Sequence, residues 1–184
     1  MKITLLVIAL AAAAFIALAS CGSKPKNENV ICGGPGIGID SAYVEALSLP
    51  RPESYEDAGA FFVPLPQGWK VVETFEGGAT VRRDTTESVA NPAITIQVES
   101  PDGKTPGEVI AEVVSSTNGT KIPNIKITDV TYKACEYEEN GVKHQLLVGK
   151  KDYKLFRFNI INSDADNPEL RTIIHYIDVK YDVK

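Results

Sequence analysis

The chain has 184 residues, with 19 Lys and Arg against 24 Asp and Glu and a net charge of −5. That size suits one domain with its own core. An acidic chain without a basic run is a poor nucleic-acid binder, and its overall charge predicts no electrostatic adhesion to anionic lipid.

Lys2 precedes an unbroken apolar run of 14 residues, Leu5–Leu18, which ends in Ala19-Ser20-Cys21. A basic start, an apolar stretch and small residues before a cut site predict a secretory signal. The run is too short for a spanning helix, which needs about 20 residues. Leu18-Ala19-Ser20-Cys21 resembles the bacterial lipoprotein signal, the lipobox. The resemblance implies removal of residues 1–20 and attachment of diacylglycerol and a further acyl chain, palmitate for instance, to Cys21. Each buried CH₂ would contribute about 0.8 kcal/mol to membrane anchoring. The alternative is an ordinary signal followed by an incidental cysteine. Gly22, where an Asp would mark inner-membrane retention, implies the outer membrane if the cell has one, with the domain facing periplasm or exterior. Cleavage removes one lysine and no acid, leaving 164 residues at −6.

Residues 21–58 read as the lipidated cysteine and a tether. Gly22, Gly33, Gly34, Gly36, Gly38, Pro25 and Pro35 lie among few apolar residues, a composition unable to bury enough surface to order itself. Gly33–Gly38 lacks the following Lys-Ser/Thr and the βαβ context of a phosphate loop. Asp40 or Ser41 predicts a cap for a short helix over Ala42–Leu47, ended by Pro50 and Pro52. Cys32 and Cys135 accompany Cys21, and export puts them where a disulfide is permitted. A Cys32–Cys135 bridge would close a loop of about 100 residues and contribute roughly 4–5 kcal/mol in the entropic account. The alternative is two free thiols, with Cys135 buried as a small hydrophobe.

The folded domain is expected over residues 59–184. Phe61–Leu65, Trp69–Phe75 and Ala79–Arg83 read as strands separated by Pro66-Gln67-Gly68 and Gly77-Gly78. Ile94, Ile96 and Val98 alternate with polar residues, the period-2 pattern of a half-buried strand. Thr105-Pro106-Gly107-Glu108 predicts a helix start with a capping box, and Asn118-Gly119 its end. Ile125–Glu136 reads as one long strand, Asn140-Gly141 as a hairpin turn, and Val142–Val148 and Tyr153–Ile161 as the next strands. Asn167-Pro168-Glu169 opens a terminal helix whose stripe is Leu170, Ile173, Ile174, Ile177 and Tyr181. Segregated strand and helix runs predict an α+β fold, an antiparallel sheet of six or seven strands with a helix on each face.

Phe61-Phe62-Val63-Pro64-Leu65-Pro66-Gln67-Gly68-Trp69 resembles the opening of the PsbP-like (Mog/PsbP/DcrB) sandwich superfamily. The helix after Gly103, the Asn140-Gly141 hairpin and the final helix fall where that family has them, over about Gly59–Tyr181. The resemblance implies the sandwich fold and a non-catalytic partner-binding role, and brings no catalytic residue.

Candidates for chemistry are few. His144 shares strand parity with Leu146 and Val148, and His175 lies off the apolar stripe of its helix, so both read as structural or solvated. No HExxH, CxxC or Gly-x-Ser-x-Gly is present. Asp164-Ala165-Asp166-Asn167 resembles the start of a calcium loop, but Glu169 and His175 stand where the glycine and the closing acid belong, so a turn feeding a helix cap is expected. Glu136, Glu138 and Glu139 read as a solvated edge, and Ser115 and Ser116 have no base partner in view. Trp69 reads as core or, alternatively, as an exposed partner anchor. The expectation is a lipid-anchored, non-catalytic envelope protein without metal or cofactor. It would hold the membrane through Cys21 and bind another envelope protein, not nucleic acid. A carrier with a lipid or peptide cavity between sheet and helix is the second expectation.

Overall fold

The computed structural model describes residues 40–83, 91–100, 103–151 and 153–180. The signal segment, Cys21, Cys32, the glycine-rich tether and Tyr181 lie outside these residues. The elements in chain order are α1 (Ser41–Ser48), β1 (Ser54–Asp57), β2 (Phe61–Leu65), β3 (Trp69–Phe75), β4 (Gly78–Arg83), β5 (Ala93–Glu99), α2 (Pro106–Thr117), β6 (Thr120–Ile127), β7 (Val130–Glu139), β8 (Val142–Lys151), β9 (Lys154–Ile161), α3 (Pro168–Tyr176) and β10 (Asp178–Val179). The fold is α+β. A seven-stranded antiparallel sheet runs β3-β4-β5-β9-β8-β7-β6, and a three-stranded one runs β1-β2-β10.

Alternation along the strands sorts side chains onto two faces. One face carries Ala79, Val81, Ile94, Ile96, Leu147, Phe156, Phe158 and Ile160, which form one buried cluster with Phe61 and Val63 of β2 and Leu170, Ile173 and Ile174 of α3. The other carries Cys135, Leu146, Val148 and Leu155, covered by Val109 and Ile110 of α2. The helices therefore lie on opposite faces, as expected from their separate apolar stripes.

Local chemistry sets the element ends. Thr105 Oγ1 accepts from the Glu108 amide at 3.3 Å while Glu108 Oε2 accepts from the Thr105 amide at 2.7 Å, closing the capping box at α2. Asn118, at φ 54°, ends that helix. The Asn167 side chain accepts from the Glu169 and Leu170 amides, with Pro168 at the first position of α3. Asn140 and Gly141, at φ 53° and 77°, make the two-residue β7–β8 turn.

Four expectations are corrected. The stretch read as one strand, Ile125–Glu136, folds back at Thr128-Asp129, where Ile127 pairs with Val130 and Thr128 adopts φ 52°. The terminal helix stops at Tyr176, because Asp178 and Val179 pair with Phe62 and Phe61 instead. Residues 54–57 form a strand that a wholly polar, exposed pattern concealed; its partner is β2. The folded body begins at Asp40 and not at Gly59, since α1 and β1 belong to it.

Gly149 is a close-approach position. A Cβ there would lie 2.5 Å from the ring of fully buried Tyr132. Gly149→Ala is expected to lower stability by about 1–3 kcal/mol through overpacking. Gly107→Ala, whose Cβ meets nothing closer than 3.9 Å, is the control that leaves the urea midpoint no lower.

Candidate functional site

β6 is an edge strand of the large sheet, and its register slips between Ile122 and Ile125. Pro123 and Asn124 occupy the irregularity. Proline lacks the amide a ladder needs, and a bulge bends the strand away from its neighbour. The bend opens a hollow on either side, and both hollows share Ile122 and Asn124. One, of about 260 Å³, is lined by Glu136, Gln145, Asp164 and Asp166 and is acidic. The other, of about 240 Å³, lies beside α2 at Gly107 and Ile110 and is bordered by Lys121 and Lys133. Gln145 spans the floor of the acidic hollow, donating to Glu136 at 3.0 Å and accepting from the buried Ala165 amide at 2.7 Å. At the opposite edge β3 also carries a register slip, between Val71 and Glu73. Both open edges are thus blunted against simple strand addition, and a partner at β6 would meet side chains and a shaped hollow instead of a bare ladder.

α1 is attached to this body by charge rather than by core packing, since none of its residues is buried. Glu45 pairs with Arg171 of α3, and its second oxygen accepts from the Thr128 amide at 2.9 Å. Arg171 also donates to the carbonyls of Ala165 and Lys126, each at 2.9 Å. Thr128 Oγ1 lies 3.0 Å from His175 Nδ1. A β-branched residue at positive φ is strained, and these bonds explain how Thr128 is held there.

The His175 imidazole is held below its ordinary pKa by burial and then by the Lys151 charge, with Asp129 and Glu45 pulling the other way. A depressed folded pKa means the unfolded chain binds the proton more readily. The contribution to stability is therefore complete above the ordinary histidine value near 6.5 and is lost as pH falls through the folded value. Urea midpoints are expected to fall between pH 7.5 and 5.5, with a shallower fall in His175→Gln.

The remaining candidates serve structure. His144 is buried and stacks on Tyr137 with ring centroids 4.8 Å apart and planes 5° from parallel. Its Nδ1 and the Tyr137 hydroxyl each lie 3.3 Å from Asn159 Oδ1, which as a carbonyl oxygen accepts from both. Burial first, then Glu139 and Cys135, raises the Tyr137 pKa, so the hydroxyl keeps its proton. Cys135 is a free, buried thiol beneath α2, with its pKa raised by burial and then by Glu136. It packs as a small hydrophobe in the α2 cluster, and the expected pairing with Cys32 falls outside the described residues. Trp69 is 4 % exposed, and its Nε1 donates to Glu169 at 3.0 Å, so the anchor reading gives way to the core reading. The Asp164–Asn167 segment is the turn and cap expected, with Asp164 accepting from the Asp166 amide at 3.0 Å. Among the described residues no group of three His, Cys, Asp or Glu is placed to hold a metal, and no helix is long and apolar enough to cross a membrane.

The sequence reading passed over the β6 hollows. Pro123-Asn124 was the available cue, a turn-like pair inside an otherwise strand-forming run.

No family model and no curated protein matches the chain. Among solved structures it is similar to a protein of Bacteroides thetaiotaomicron VPI-5482, at 13% identity and a TM-score of 0.46, covering 70% of this chain and 48% of the other. The chain thus spans about half the length of that protein. It is also similar to a protein of unknown function from Pseudomonas aeruginosa, at 9% identity and a TM-score of 0.35, covering 62% of this chain and 85% of that one.

Proposed function

We propose that the chain is a lipid-anchored, non-catalytic protein of the cell envelope, whose domain binds another envelope protein in the manner the PsbP-like resemblance implies. The anchor part rests on Leu18-Ala19-Ser20-Cys21 closing an apolar run of signal length. The observation that carries the binding part is the bulged β6 edge, with an acidic hollow on one side and a lysine-bordered one on the other. Opposite charges on the two sides of one edge favour a partner segment of matching polarity and reject the reverse orientation. The residues best suited to chemistry, His144, His175 and Cys135, are occupied by stacking, hydrogen bonding and burial.

A photo-crosslinking residue at exposed Asn124 in intact cells tests this. One reproducible, near-stoichiometric adduct with an envelope protein is expected, lost when Lys121 and Lys133 are both changed to Glu. Absence of any adduct from a lipidated, abundant protein would overturn it.

The second reading, a small-ligand carrier, is favoured by the hollow beside α2, where apolar Ile110 and Ile122 meet Lys121 and Lys133. That chemistry suits a small anionic amphiphile. A co-purified mass in a native spectrum, displaced by Ile110→Trp, would support it over the partner reading.

A further inference from the structure

The net negative charge conceals a local basic tip. Lys150, Lys151 and Lys154 fall within five positions, the densest basic group in the chain, and they flank Asp152 and Tyr153. Lys151 pairs with Lys154 where β8 turns into β9, and Tyr153 sits at this turn with φ 61° and 91 % exposure. Glycine or asparagine would occupy such a left-handed position without strain. A large aromatic held there in water gains no packing in return, and strain of this kind gathers at functional positions.

The same end of the molecule carries α1. Lys151 Nζ donates to the carbonyls of His175 and Ile177 at 2.8 and 3.2 Å, and His175 leads through Thr128 to Glu45. Glu45 is the only charged residue within α1 and is turned inward onto Arg171. The outer side of α1 presents Tyr43, Val44 and Leu47, exposed by 58, 45 and 66 %. Asp129 is the acidic neighbour on the adjoining turn, and Thr128 donates to it. Eighteen residues separate Cys21 from Asp40, which caps α1.

We propose that Lys150, Tyr153 and Lys154 at the turn from β8 to β9 and the outer side of α1 together form a peripheral contact with an anionic lipid surface, laying the domain against the bilayer. Tyrosine suits the boundary between headgroup and acyl chain, and the lysines meet anionic headgroups. The inference rests on the lipid-anchor reading for the nearness of a membrane. It revises the expectation from overall charge, because a surface senses the charge within a Debye length of it.

The test uses the mature, lipidated chain in vesicles of phosphatidylcholine and phosphatidylglycerol containing brominated acyl chains. Tryptophan is placed by Tyr153→Trp or Leu47→Trp, and buried Trp69 supplies the unquenched background. Both new tryptophans are expected to be quenched. Each lysine contributes roughly a five-fold gain in surface association, so Lys150→Gln with Lys154→Gln, or vesicles without phosphatidylglycerol, lowers the quenched fraction. Vesicle flotation reports the anchor separately. A chain that floats with both tryptophans unquenched overturns the contact and leaves the anchor standing. A chain that does not float removes the anchor reading, and the inference with it.

Discussion

Phe158→Ala is expected to lower the unfolding free energy by about 3–5 kcal/mol, the cost of emptying a large aromatic site in a core that relaxes only in part. Phe158 lies in β9, the middle strand of seven, and is fully buried. Its ring meets Tyr132 edge-on at 5.7 Å and stacks with Phe156 at 5.5 Å, while Ile96 and Leu147 flank it in register. Truncation therefore removes contacts on both neighbouring strands and across to Tyr132. Phe158→Leu keeps most of the volume and is expected to cost less than about 1.5 kcal/mol. Urea unfolding of the two variants beside the parent measures the difference, and equal midpoints would mean that β9 is not the centre of the core.

Arg171→Ala has the next largest effect. Removing one member of a buried ion pair costs about 3–5 kcal/mol, because its partner is left without compensation. Arg171 and Glu45 are 19 and 26 % exposed, which places the expected loss near the low end, at about 3 kcal/mol. The variant also strips a donor from the carbonyls of Ala165 and Lys126. Arg171→Lys does not restore the arrangement, since an ammonium cannot reproduce the guanidinium fork that reaches Glu45 and both carbonyls. Hydrogen exchange separates local from global consequences. The amides of α1 are expected to lose protection first, because the helix buries no side chain and is seated by Glu45 and by the Tyr176 hydroxyl, which donates to the Ala46 carbonyl at 3.3 Å. Uniform loss over α1 and β9 would instead mean that α1 and the core open together.

The sequence was most legible where a residue type leaves few backbone choices. Asn140-Gly141, the Thr105–Glu108 box and Asn167-Pro168 each satisfy a specific local geometry, and the structure has each in that role. Period-2 alternation likewise placed β5 and β9 and set His144 on the buried side with Leu146. It failed where tertiary contacts overrule propensity. Thr128 takes a left-handed turn position that its branched side chain disfavours, because Glu45, Asp129 and His175 supply partners there. Ile177 and Tyr181 fit the helical spacing of α3 closely enough to extend it, yet between them Asp178 and Val179 pair with Phe62 and Phe61. β1 is invisible to any hydrophobic pattern, since Ser54, Tyr55, Glu56 and Asp57 are all exposed and only the ladder to β2 defines the strand.

The two surfaces of interest were hidden for different reasons. The β6 hollows arise from a register slip, a property of two strands together that neither sequence segment carries alone. The basic tip was written plainly at Lys150–Lys154, but a whole-chain charge of −5 averages it away. Residue types fix what a surface offers, and folding decides which of them stand side by side.

The measurement that bears most directly on the account is the mass of the mature N-terminal peptide, taken with the membrane partition of Cys21→Ser. The account predicts a peptide beginning at Cys21 and heavier by a diacylglyceryl group and an acyl chain, with Cys21→Ser released from the membrane fraction. An unmodified Cys21 in a protein that stays membrane-bound, unchanged by Cys21→Ser, would contradict it.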